Sequence, residues 1–468
     1  MRVFNLYNIQ MRKNYFLAFL FLILWVNVNA QQIKPFVKGD RVVFAGNSIT
    51  EAGYYETYIW LYYMTHLPEV RIDVFNGGVG GDVAGQINTR LEGDILAKKP
   101  TVVAVTFGMN DSRYFEYQKP GAAEQVRASA VKESYNSFLK IQETLGQHKE
   151  IRKIIMSTSP YDETMKNDKN YFPGKSATIE KIAQFQEEAA LKNKWDFVDL
   201  LRPMTEINVR EQKTNPEFTL TGSDRIHPGN AGHLVMAYLF LKKQGFAGKP
   251  VADVKIDASK KKILQSVNCT ITNLSAKGKV LSFDYLAKSL PFPLDTVARI
   301  WGNPHKQTEA LAVIPFVKEF DSEMLTVEGL TGGKYRLTID DKTIGEWSGK
   351  DFANGINLAI LRNTPQYQQA EQIMNLNQKR FEIEAKFRNY YWVEYDFLNA
   401  KGLLFNDSKA VGDTVAKYAP INGWPLNTKK DDYEAVRSSR DNLQKQMDSF
   451  VGQIYELNKP GNHKIKIE

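Results

Sequence analysis

One cysteine, Cys269, is the only thiol among 468 residues, so the chain closes no internal disulfide. Its six histidines fall nowhere at zinc-ligand spacing with each other or with the cysteine, so no structural metal and no cofactor is expected. Charge of one sign is also scarce: 61 Lys and Arg stand against 53 Asp and Glu, a formal +8, and three of those cations lie in residues 1–30, which hold no acid. An excess this mild excludes the basic footprint of a nucleic-acid binder. Beyond residue 30 no apolar run is long enough to span a bilayer, and neither repeats nor low-complexity tracts occur. What the chain does have is 43% hydrophobic residues, enough for more than one packed core, which sets aside disordered, collagen-like and coiled-coil classes.

The N-terminus is the exception to the missing apolar runs. After Arg12 and Lys13, residues 15–26 are almost all large and apolar, and Val28 and Ala30 place small residues just beyond. A stretch of about a dozen apolar residues is short of the ~20 a spanning helix needs, so residues 1–30 are expected to be a secretory signal peptide. The mature chain is then exported with no transmembrane segment. With one cysteine, a bacterial periplasm or extracellular space suits it better than a disulfide-rich secretion route.

From residue 41 onward, short apolar runs alternate with amphipathic stretches. Residues 41–45, 72–76, 101–107, 151–158 and 195–200 read as strands, and 54–65, 83–98, 122–146, 176–193 and 229–244 as the helices between them. Such alternation predicts a five-stranded parallel sheet covered on both faces, within a unit spanning 38–248. After Gly248-Lys249-Pro250 the pattern becomes mostly β over 252–350. Strand-like runs at 268–273, 279–285, 310–316 and 325–330 precede a hairpin at 335–347 that turns at Asp340-Asp341. Residues 351–468 read as a helical region, a hairpin of helices at 365–399 and 430–458 joined by an irregular loop holding Pro420. The charged runs on those helices are read as solvated faces, and Tyr390, Tyr391 and Trp392 as packing residues.

In an open parallel sheet ligands gather at the carboxyl ends of the strands. Strand one ends at Gly46-Asn47-Ser48-Ile49, strand two at Asn76-Gly77-Gly78-Val79-Gly80-Gly81-Asp82, and strand three at Gly108-Met109-Asn110-Asp111. After strand five comes Asp224-Arg225-Ile226-His227, a carboxylate and an imidazole three residues apart. One crevice would then hold a serine on a tight turn, a base, an acid to orient it, and oxyanion donors. The glycines at 77–81 lack dinucleotide-loop spacing. Four blocks in this order resemble those of the SGNH hydrolases, the GDSL-type esterases, over about residues 40–246. The resemblance implies a flavodoxin-like α/β/α sandwich, Ser48 as nucleophile, Asp224 and His227 as its partners, and an oxyanion hole of the Ser48 and Gly81 N–H groups and the Asn110 amide. Asn47 departs from the family's usual aspartate, and Ile49 from its usual leucine.

Tyr54, Arg113 and Tyr161 follow strands one, three and four, where they either contact substrate or pack. His233, six residues past His227, reads as a helix residue satisfied by its neighbours rather than a ligand. By analogy with the family, the expected activity is removal of small acyl groups, acetyl first, from an O-acylated oligo- or polysaccharide. A methyl esterase of uronic acids and a non-catalytic glycan-binding module on the same fold are the alternatives.

Overall fold

The computed structural model describes residues 32–300 and 302–468, and the candidate signal peptide at 1–30 lies outside them. Strands β1 (Arg41–Gly46), β2 (Asp73–Gly78), β3 (Val102–Thr106), β4 (Arg152–Met156) and β5 (Asp196–Val198) form one parallel sheet in the order β2-β1-β3-β4-β5. Alternation within the strands feeds two cores. Val42, Phe44, Val102 and Ala104 belong to one side, and Val43, Ala45, Val103 and Val105 to the other. Because both faces are buried, these strands read as continuous apolar runs.

The intervening helices are α1 (Ser48–Glu51), α2 (Tyr54–His66), α3 (Ala84–Thr89), α4 (Ala123–Gln147), α5 (Lys175–Asn193), α6 (Leu201–Glu211) and α7 (Asn230–Lys243). Every residue of α2 is buried, polar ones included. A helix buried all round needs cover on every side. The cover comes from the C-terminal region: Ala370, Ile373, Phe381, Ile454 and Tyr455 join the same cluster as Tyr55, Ile59 and Trp60. Tyr455 Oη accepts from Trp60 Nε1 (3.2 Å) and from the Ile72 N–H (3.1 Å). The two halves of the chain therefore share one core.

The β-rich part holds β6 (Ala252–Asp257), β7 (Lys262–Val267), β8 (Cys269–Lys277), β9 (Val280–Ala287), β10 (Glu323–Glu328), β11 (Lys334–Ile339), β12 (Lys342–Ser348) and the short β13 (Ile356–Asn357). Together with a C-terminal strand, β14 (Asn462–Ile467), they form sheets ordered β13-β10-β6-β7 and β12-β11-β14-β9-β8. The β11–β12 hairpin turns at Asp340 and Asp341, both with positive φ (48° and 63°). Residues 310–316 are not a strand. They fall in a 3₁₀ turn (Gln307–Ala312) leading to α8 (Phe316–Phe320), because Ala310, Ile314, Phe316 and Phe320 bury at helical intervals.

A boundary at 351 does not hold as drawn. Strand β14 (Asn462–Ile467) returns from the C-terminus to pair antiparallel with both β11 and β9, so the last residues complete the β-rich sheet. Between lie α9 (Gly349–Asn354), α10 (Pro365–Trp392), α11 (Lys409–Asn422) and α12 (Trp424–Leu457). Helix α11 and the start of α12 occupy most of what reads as irregular loop. Val411, Val415 and Ala419 form a buried stripe at four-residue spacing, and Pro420 falls in the last turn. No described helix is long and apolar enough to cross a membrane.

Candidate active site

Strand β1 stops at Gly46 and the chain turns at once into α1. Asn47 is the N-cap: its side-chain oxygen accepts from the Ile49 N–H at 3.1 Å while the residue is itself buried. A neutral amide thus performs the capping that an aspartate also performs, without placing a charge in the core. Gly78, at the end of β2, lies so close to α1 that a Cβ would stand 2.1 Å from the Glu51 backbone nitrogen. The close approach sets the glycine loop beside the serine, and Gly81 adopts φ +92°, a region glycine enters without strain.

Ser48 Oγ lies 2.9 Å from His227 Nε2, and His227 Nδ1 lies 2.5 Å from Asp224 Oδ2. The other Asp224 oxygen accepts from the Ile226 and His227 N–H groups at 2.9 and 3.1 Å. With Nδ1–H donated to the carboxylate, Nε2 is left as an acceptor for the Ser48 hydroxyl. Partial burial pushes the Asp224 pKa up, but the hydrogen bond and charge of His227, with the two backbone N–H groups, outweigh it and hold the carboxyl below its ordinary value.

Asn110 Nδ2 donates to the Asp82 carbonyl at 2.9 Å and its oxygen accepts from Tyr114 Oη at 2.5 Å, so the amide plane is fixed and its second N–H has no partner among the described residues. The N–H groups of Ser48 and Gly81 make no hydrogen bond among the described residues. Lys175, which sequence reasoning passed over, stiffens this loop from below. Its ammonium is 3.7 Å from the centre of the Tyr114 ring and donates to the Met109 carbonyl and Ser112 Oγ, both at 2.6 Å.

The triad opens into a cavity of about 690 Å³. Tyr54 lines it, as one reading of that residue had it. Arg113 and Tyr161 do not. Arg113 turns toward α4, pairing with Glu133 at 2.7 Å, and Tyr161 is buried with its hydroxyl accepting from the Phe172 N–H. Neither contributes to the cavity wall. His233 does line it: Nδ1 accepts from the Tyr55 N–H at 3.1 Å, Nε2 has no partner among the described residues, and burial lowers its pKa to about 3.

The far wall comes from residues invisible to local reasoning: Arg299, Ile300 and Asn303 on one side, and Phe381, Ala385, Arg388 and Asn389 of α10 on the other. Arg380, Glu384 and Arg388 are buried rather than solvated. Arg388 binds both oxygens of Asp94 at 3.0 and 3.1 Å, where Arg90 (2.8 Å) and Lys98 also bind. Arg90 in turn reaches Asp82 Oδ2 at 2.6 Å and the Gly46 carbonyl at 2.8 Å. Burial raises the Asp94 pKa, but the three cations together hold it far below the carboxylate range. From α12, Lys429 pairs with Glu51 at 2.6 Å, one turn beyond Ser48. The alternating signs of 380, 384 and 388 at four-residue spacing were the available hint of internal pairing.

Residues 44–235 match the GDSL-like Lipase/Acylhydrolase family, and residues 371–459 match the diltiazem deacetylase C-terminal helical domain. A solved structure of a gut microbial diltiazem-metabolizing enzyme is 46% identical, covers 94% of this chain and 100% of its own, and superposes with a TM-score of 0.91. The chain belongs to the SGNH hydrolases, the GDSL-type esterases. An acetylxylan esterase from Geobacillus stearothermophilus is 26% identical over 223 residues, 44% of this chain and 95% of that protein. As an SGNH hydrolase the chain is a carboxylic ester hydrolase, and its helical C-terminal region is a feature it shares with the diltiazem-metabolizing enzyme.

Proposed function

We propose that this SGNH hydrolase is an exported serine esterase that removes acetyl groups from O-acetylated carbohydrate. The observation that carries the mechanism is the unbroken hydrogen-bond chain from Ser48 Oγ through His227 to Asp224, at the mouth of a cavity. His227 takes the Ser48 proton as Oγ attacks the acyl carbonyl, and Asp224 steadies the imidazolium that forms. The developing oxyanion faces the Ser48 and Gly81 N–H groups and the Asn110 amide. His227 returns the proton to the departing alcohol, and water then repeats the cycle on the acyl-serine to release the acid. The similarity to an acetylxylan esterase supports the carbohydrate, and the apolar run followed by small residues at 15–30 supports export.

A second reading of the alcohol half has its own support. Tyr54, Ile300 and Phe381 give the cavity apolar walls suited to an aromatic acetate ester, and the 46%-identical relative metabolises a drug. Acetate and methanol released from a panel of acetylated glycans, methyl-esterified uronic-acid polymers and aryl acetates separate these readings. Acetate from a glycan, absent in Ser48→Ala, is the expected result. Turnover of aryl acetates alone favours the second reading, and methanol release refutes the deacetylase assignment.

A further inference from the structure

We propose that a polar groove next to the triad is a subsite for the additional sugar units of an acetylated oligosaccharide. This rests on the carbohydrate reading above and goes beyond it by giving the enzyme a chain-length preference. The groove has a volume of about 940 Å³ and meets the catalytic cavity at Ser223, which lines both. Its walls differ in kind from those of the catalytic cavity. Lys166, Asp168 and Glu217 line it, and among the described residues their side chains make no hydrogen bond or ion pair. Donors and acceptors of both signs, spread along an open cleft, match the many hydroxyls of a glycan rather than a polyanion, which needs a stripe of cations.

The groove also has an aromatic platform. Tyr171 is 46% exposed, and its ring lies over the Arg225 guanidinium with 5.2 Å from the carbon to the ring centre. The contact with Arg225 holds the ring where it lines the cleft, a surface a pyranose can stack upon.

Arg225 ties this wall to the chemistry. It is buried, sits between Asp224 and His227 with φ +67°, and its guanidinium donates to the carbonyls of Asp162 (2.9 Å), Met165 (2.8 Å), Lys169 (3.0 Å) and Asn167. Asn167 Nδ2 donates back to the Ser223 carbonyl at 3.2 Å, and the Asp162 N–H to the Arg225 carbonyl at 3.0 Å. The segment carrying Lys166, Asp168 and Tyr171 is therefore hung on the loop that carries the acid and the base. A sugar bound along it has a fixed position relative to Ser48, so remote binding can be spent on orientation at the reacting carbonyl.

The test measures kcat/KM for p-nitrophenyl acetate and for acetylated xylo-oligosaccharides of one to six units, in wild type, Tyr171→Ala and Lys166→Ala. Wild type should gain about tenfold from the monosaccharide to the longer oligosaccharides. Tyr171→Ala should remove most of that gain, about fivefold to tenfold, with p-nitrophenyl acetate and the monosaccharide unchanged. Lys166→Ala should lose a smaller part of it. Equal kcat/KM at every length in wild type overturns the subsite and leaves the carbohydrate reading standing. Equal losses on all substrates in Tyr171→Ala make the ring a structural element and also overturn the proposal. No acetate from any carbohydrate, with p-nitrophenyl acetate still hydrolysed, overturns both readings together.

Discussion

Replacing Asn110 by alanine separates catalysis from folding. The side chain is half-buried in the turn after β3, anchored through Asp82 and Tyr114. If its free N–H meets the oxyanion, its loss costs kcat about a hundredfold to a thousandfold, roughly 2.7–4 kcal/mol of barrier. The same change strips one partner from the Asp82 carbonyl and one from Tyr114 Oη. Water can reach a half-buried site, so the stability cost should stay at about 1–2 kcal/mol. KM should hardly move, since the lost interaction belongs to the transition state. Tyr114→Phe is the graded companion: the amide keeps its anchor on Asp82 but loses the bond that sets its rotation, and kcat should fall by about tenfold at most. Steady-state hydrolysis of p-nitrophenyl acetate with thermal unfolding of the same samples reads both quantities. A folded Asn110→Ala enzyme with kcat within tenfold of wild type, or with the whole loss in KM, refutes the oxyanion reasoning.

Arg388→Met leaves Asp94 buried with two cations instead of three, and should destabilise the protein by about 3 kcal/mol in chemical denaturation; Arg388→Lys should not restore it, because a lysine cannot span both carboxylate oxygens. Stability should also fall on acidification. Burial lowers the His66 imidazole from 6.5 to about 4 while it hydrogen-bonds the Phe320 carbonyl at 2.6 Å. The unfolded chain binds the extra proton between those values, so the contribution is complete above pH 6.5 and is lost as pH drops toward 4, by about 3 kcal/mol, and His66→Gln should flatten that slope of unfolding free energy against pH. Asn47→Asp should keep kcat within about threefold, since either residue caps α1, and a complete loss of activity would show that the neutral amide is required.

Much of the first half was legible because its signals are local. The five parallel strands are buried on both faces and read as apolar runs, and the site residues sit where those runs end, at Ser48, Gly81 and Asn110, or in the short Asp224 to His227 segment. What stayed hidden depends on contacts distant along the chain. Ile465 and Ile467 fall in a region that reads as helical until β14 is seen between β11 and β9. Arg388 reads as a surface charge until Asp94 is found across the interface with α10. Phe381 becomes a cavity wall only because α10 lies over α2. The misread run at 310–316 shows the limit of short apolar windows, whose period cannot distinguish strand from helix.

The most direct test of the account is to trap the covalent intermediate. The enzyme is mixed with an activated acetyl ester, quenched in acid within the turnover time, digested and mapped by mass spectrometry, with Ser48→Ala alongside. The account predicts one added acetyl group on the peptide containing Ser48, absent from the variant, which should also lose turnover while unfolding at the wild-type temperature. An acetyl group on another residue, or full hydrolysis by Ser48→Ala, would contradict it.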